Sequence, residues 1–160
     1  MKIPFYEKFT LKTNKSASDI YSILKDNTTK RAFLNYLLKA DLYFFEGNIE
    51  NNYFNINRLY NTNSIRPMIT GLIIEKEEFT LMEITMKFHI LFIIFQTIWF
   101  FLVLSVLFIC VIISDILYAL ICLIILILVG YLTIKRFNYE TKITKNKIIE
   151  LLEAEELEKA

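Results

Sequence analysis

The chain has 160 residues, 55% of them hydrophobic, and a mean hydropathy of +0.43, more apolar than a soluble domain of this size usually is. Its 18 lysines and arginines stand against 17 aspartates and glutamates, so no basic excess points to nucleic acid, which is excluded as an expected partner. Two cysteines and a single histidine are too few to build a structural zinc site, and no cofactor is expected.

Met1 to Asp19 is polar and lacks an apolar core, so no secretory signal is expected there. Phe5 to Thr13 alternates apolar and polar residues and predicts a strand. Ser16 to Asp19 has the spacing of a capping box, with aspartate in place of the usual glutamate. Ile20, Ile23 and Leu24 follow at helical spacing, so a short helix runs to about Asp26. Thr28 or Thr29 could cap a second helix, with Phe33, Leu34, Leu37 and Leu38 on one face.

The period then changes. Tyr43–Ile49, Tyr53–Tyr60, Arg66–Glu75 and Phe79–Lys87 predict four strands, separated by short polar turns, which implies an antiparallel meander. Pro67 belongs at a strand start or on an edge, because it cannot donate to the ladder. Gly71 marks a bulge, a bend or a close backbone approach.

Two apolar runs follow, Phe88 to Ile113 and Ile116 to Ile134, split by Ser114 and Asp115 and closed by Lys135 and Arg136. Each has the roughly 20 residues needed to cross a hydrocarbon layer about 30 Å thick. The first helix is expected to start between Phe88 and Phe92. Lys76 and Lys87 precede the runs and Lys135, Arg136, Lys142, Lys145 and Lys147 follow them, while the turn carries no positive charge. The positive-inside rule therefore places both termini in the cytoplasm. Abundant asparagine, isoleucine and lysine suggest an AT-rich bacterial genome, so the expected location is a bacterial cytoplasmic membrane. Phe137 to Thr144 reads as one more strand. Lys145 to Lys159 reads as a helix with Ile148, Ile149, Leu151, Leu152 and Leu157 on its apolar face and a fraying acidic end.

The expected fold is an α+β membrane protein. An antiparallel β-meander with N-terminal helices and a C-terminal helix is interrupted by a transmembrane helical hairpin. Residues 1–87 and 135–160 would form one cytoplasmic domain, and 88–134 the hairpin.

The order strand, helix, helix, meander and terminal helix resembles the helix-grip fold of START-like proteins over residues 5–87 and 137–160. That likeness implies an apolar ligand held between sheet and helix. Stretches such as Tyr53–Tyr60 and Ile65–Ile73, followed by the aromatic-rich Phe88–Phe100, are similar to uncharacterised small bacterial two-span membrane proteins with a β-rich cytoplasmic domain. The two-span architecture also resembles antiphage effectors that join two spans to a small β-domain. That likeness implies nucleotide sensing and membrane perturbation through oligomerisation.

Catalysis needs a nucleophile, a base and an orienting group in one pocket, and the sequence offers no such constellation, so an enzyme is not expected. His89, at the mouth of the first run, reads as an interfacial polar residue rather than a proton switch. Arg58 and Arg66 flank a turn, with Asn55, Asn57 and Tyr60 nearby. Two guanidinium groups with amide and phenol neighbours suit an anionic small-molecule ligand, and the plainer alternative pairs the arginines with Glu46 or Glu75. In the spans, Gln96 is the most costly polar group and needs another helix. Ser105 and Gly130 permit close helix approach, and Trp99 joins Phe88, Phe92 and Phe95 in an aromatic stripe for packing and lipid anchoring. Asp115, at the turn, is readily hydrated. Cys110 and Cys122 read as small apolar fillers rather than a disulfide or metal site. The expected function is a non-enzymatic, membrane-anchored binding or sensing module. Its partners would be the lipid bilayer, an anionic small molecule and further copies of itself. The antiphage effector and the START-like binder are the alternatives.

Overall fold

A computed structural model describes residues 5–29, 43–59 and 66–157. Among them the chain is α+β, with a mixed seven-stranded sheet and three helices, two of them long and apolar. It divides into two compact units, one of residues 1–88 with 140–160 and one of residues 89–139.

In the first unit, β1 (Tyr6–Thr13) leads into α1 (Ala17–Asp26), opened by Ser16. The Ser16 hydroxyl accepts from the Asp19 N–H, and the Asp19 carboxylate accepts from the Ser16 N–H. This is a complete capping box in which the shorter aspartate suffices. Ile20 and Leu24, four residues apart, are buried from α1.

Thr28 and Thr29 form β2 and pair in parallel with β3 (Phe45–Ile49). Their backbone joins the sheet edge, and the second helix they would cap falls on residues outside those described. The helical face expected from Phe33 to Leu38 lies outside the described residues.

The meander is built as its turn chemistry demands. β3, β4 (Tyr53–Arg58), β5 (Pro67–Glu75) and β6 (Thr80–Phe88) pair antiparallel in succession, and β1 closes against β6. The strand order is β2-β3-β4-β5-β6-β1-β7, with β7 the short strand Glu155–Leu157. Pro67 begins β5, where a missing N–H is tolerated. Two glycines are required by their surroundings. Gly47 has φ +152, and an added Cβ would run into the Asn55–Ile56 backbone of β4. Gly71 faces Phe54 across the β4–β5 ladder, and the Phe54 ring lies where its Cβ would go. The close approach expected at Gly71 is therefore that of an aromatic ring.

Alternate residues of each strand turn to one face and form the core: Leu11, Phe54, Ile56, Ile69, Met82, Ile84 and Met86 are wholly buried. The chain covers that face with α1 and with the last turns of α3 (Ile116–Leu152), which contribute Ile148 and Leu152. At about 25 cal/mol per Å² of apolar surface, burying a side chain such as Ile148 stabilises by roughly 1.5–3 kcal/mol.

A strand over Phe137–Thr144 is corrected, because these residues belong to α3. Their apolar–polar alternation suits a strand, but Glu140, Thr144, Ile148 and Leu152 are buried at intervals of four, the helical repeat. No glycine or proline interrupts the chain from Tyr131 to Leu152. The helix also stops earlier than Lys159. Glu153 takes φ +48, its N–H reaches the Glu150 carbonyl, and the Ala154 N–H reaches the Ile149 carbonyl. That is a Schellman closure. Glu155–Leu157 then forms β7 on the free edge of β1, so Leu157 leaves the helix face and is 41% exposed. The Thr13 hydroxyl bonds the last helical carbonyl, Leu152, at 2.8 Å, and Lys15 meets Glu153 at 3.0 Å.

The second unit is a helical hairpin. α2 (Ile90–Ile112) begins after His89, whose Nδ1 accepts from the Leu91 N–H. It ends with Ser114 at φ +60, the Asp115 N–H bonded to the Cys110 carbonyl and the Ser114 N–H to that of Val111. Asp115 then caps α3 through its carboxylate to the Tyr118 N–H and its carbonyl to the Ala119 N–H. Two residues thus stop one helix and start the next. Both helices are long and apolar enough to cross a membrane, and none of their most apolar stretch is buried.

Candidate functional site

Arg58 ends β4 and Arg66 immediately precedes β5, so the meander brings both to one end of the sheet. Their guanidinium groups go to different carboxylates. Arg58 Nη1 lies 2.8 Å from Glu140 Oε2 of α3, with the side chains 13% and 3% exposed. Arg66 Nη1 lies 3.2 Å from Glu46 Oε1 of β3 and donates to the Arg58 carbonyl at 2.9 Å. The Phe44 ring stacks 5.3 Å from the Arg58 guanidinium carbon. Parting either pair would take a close opposite charge away from a side chain that is largely desolvated.

Asn55 and Asn57 are half-buried and alternate with the buried Phe54 and Ile56, so they turn to the face opposite the core. Asn57 stands opposite Glu46 in the ladder, and Asn55 between Asn48 and Thr70. The asparagines and the Arg66–Glu46 pair thus share an end of the meander, whereas Arg58 is drawn to α3. Tyr60 lies outside the described residues. Glu46, the alternative partner read from sequence, is paired with Arg66, while the Glu75 carboxylate accepts from the Ala17 N–H at 3.4 Å. An anion entering here would have to exchange with Glu46 or Glu140.

Glu140 is the residue that sequence reasoning missed. It falls in the stretch whose alternation reads as a strand, and the usable signal is its four-residue spacing to Thr144, Ile148 and Leu152. Other clefts lie away from the arginines. One of about 270 Å³ is lined by Tyr21, Lys25, Thr28, Gly47, Asn48 and Ile49. Another of about 160 Å³ lies over Gly71, between Tyr53 and the Lys8–Glu83 pair. That pair is 2.9 Å apart, and the hydrogen bond and charge of Glu83 push the Lys8 ammonium up from its ordinary value. Among the described residues no group of three or more histidines, cysteines or acids could hold a metal ion.

In the hairpin unit, the less exposed residues of α2 are Phe92, Gln96, Trp99, Val103, Leu107 and Cys110, at spacings of three or four. Those of α3 include Ala119, Cys122, Leu126, Val129, Gly130 and Thr133. They mark the less exposed side of each helix. Gln96 and Trp99 lie on it. Ser105 lies on the exposed side, its hydroxyl donating to the Phe101 carbonyl at 2.8 Å. A Cβ added at Gly130 would meet nothing within 4 Å, so packing inside the hairpin does not demand glycine there. Both cysteines are free thiols.

Fold and site define an α+β unit whose end is closed by buried arginine–carboxylate pairs, in a chain that also carries an apolar helical hairpin. Comparison with protein-family models, curated proteins and solved structures finds no match to this chain.

Proposed function

We propose that the chain is a non-enzymatic, membrane-anchored binding or sensing module. The hairpin would cross a bacterial cytoplasmic membrane, and the α+β unit would lie on the cytoplasmic side with both termini. The observation that carries this is the outward display of the hairpin's side chains. Phe95, Phe101, Phe108, Ile116 and Leu117 are each at least 60% exposed. Soluble proteins rarely leave so large a contiguous apolar surface in water, and a bilayer covers it without cost.

Binding is assigned to the arginine end of the meander. Each guanidinium fork already recognises a carboxylate, so a ligand carboxylate or phosphate has the chemistry to compete for the same donors. Only His89 separates β6 from α2. A shift in the sheet on ligand exchange would reach the hairpin without a flexible linker to absorb it. An apolar ligand of the START-like kind is less favoured, since the core side chains between sheet and helix are packed to full burial. The test has two parts. The full chain should stay with membranes through alkaline carbonate extraction. A thermal-shift screen of nucleotides and other anions should then find one that moves wild-type protein and moves Arg66→Ala less. Extraction into the soluble fraction would refute the anchor, and the lack of any responsive anion would refute the binding assignment.

A further inference from the structure

We infer that Cys110 and Cys122 are a redox pair that closes a reversible disulfide between the two helices of the hairpin. The choice of oxidant below rests on the hairpin being membrane-spanning. These are the two cysteines of the sequence, and both are free thiols. The side chains of α2 are mostly turned outward, yet Cys110 is 8% exposed and is the one buried residue of that helix among the described residues. Cys122 of α3 is half-buried. Cys110 stands two residues from the end of α2, where the Ser114–Asp115 turn brings α3 alongside.

The turn fixes their register. The Asp115 N–H bonds the Cys110 carbonyl, and the Asp115 carbonyl accepts from the Ala119 N–H, so Cys110 and Ala119 stand at one level on the two helices. Cys122 lies one helical turn beyond Ala119, on the same less exposed side of α3. The two cysteines are thus offset by only about 4.5 Å along the helices, and their thiols interact with each other. A disulfide needs Cβ atoms that point toward one another, and the less exposed sides of two helices beside a short turn meet that demand. In the proposed topology the turn lies away from the cytoplasm, where thiols are kept reduced. The oxidant is dioxygen, an apolar molecule that dissolves in lipid, with a redox-metal complex as catalyst. Both S–H bonds break and one S–S bond forms. The two electrons and two protons pass to dioxygen, which leaves as hydrogen peroxide. A dithiol reverses the closure by exchange. Oxidised, the pair ties α2 to α3; reduced, it leaves the turn alone to join them.

The test uses the full chain in phosphatidylcholine vesicles, treated in air with copper phenanthroline. Free thiols are then counted by a polymer-linked maleimide on a denaturing gel. Reduced wild type should take two labels per chain. Oxidised wild type should take none and still run as a monomer, and dithiothreitol should restore both labels. Cys122→Ala combined with Leu120→Cys moves the second thiol to a position 52% exposed on the outward side of α3. That pair should lose closure, because Cβ atoms that point apart cannot be bridged. Two labels persisting in oxidised wild type, disulfide-linked dimers in place of the closed monomer, or closure of the displaced pair as fast as wild type overturns the inference. Carbonate extraction of the same vesicles reports separately on the anchor: release of the chain would refute membrane spanning, while the label count would still decide the pair.

Discussion

Replacing Glu140 with leucine would take a carboxylate 2.8 Å away from the Arg58 guanidinium, whose side chain is 13% exposed. Removing one member of a buried pair costs about 3–5 kcal/mol, because the surviving charge remains desolvated. Arg58→Met should cost a similar amount from the other side, with the Glu140 carboxylate only 3% exposed. The double variant should be far less destabilised than the sum, between neutral and about 2 kcal/mol below wild type, since two apolar side chains then fill the space of two charges. A double-mutant cycle isolates this coupling. Pulse proteolysis of the full chain in detergent over a urea gradient supplies the midpoints. If each single variant costs under about 1 kcal/mol and the two add to within about 0.5 kcal/mol, the pair is solvated and the site is not closed in the way described.

Gly71→Ala should destabilise by about 1–3 kcal/mol through overpacking against Phe54, and Phe54→Leu should recover part of that loss in the same background, read as a shift in urea midpoint. Ile148→Asp combined with Leu152→Asp should abolish protease resistance of the α+β unit, since both residues are wholly buried in its core; unchanged resistance would mean that the end of α3 does not dock. A cysteine at position 115, with Cys110 and Cys122 changed to serine, should react with a membrane-impermeant maleimide on intact cells. Cysteines at positions 12 and 145 should react only after lysis, and the reverse pattern would invert the proposed topology.

Local chemistry was legible wherever it was self-sufficient. The capping box at Ser16, the β-meander with its Glu50–Asn52 and Lys76–Glu78 turns, the strand start at Pro67 and the break at Ser114–Asp115 each depend on residues within a few positions of one another. Each appears where the sequence places it, within a residue or two. The two apolar runs were equally plain, because helix length and apolarity are properties of a continuous segment. Residues 137–144 misled for the same reason. Their local alternation is that of a strand, and only the helix arriving from Ile116 together with the sheet face waiting for Ile148 and Leu152 makes the helical period prevail.

What the sequence by itself determined is therefore the set of elements bounded by short-range signals: a cap, four meander strands and two apolar helices. The tertiary structure alone decided the partners. It joined β7 to the edge of β1, put Phe54 over Gly71, and sent Arg58 to a glutamate 82 positions away in α3 while Arg66 took Glu46. Those choices are set by which charges and which faces are buried together once the chain is compact, and desolvation of that kind has no counterpart in the spacing of residues along the chain.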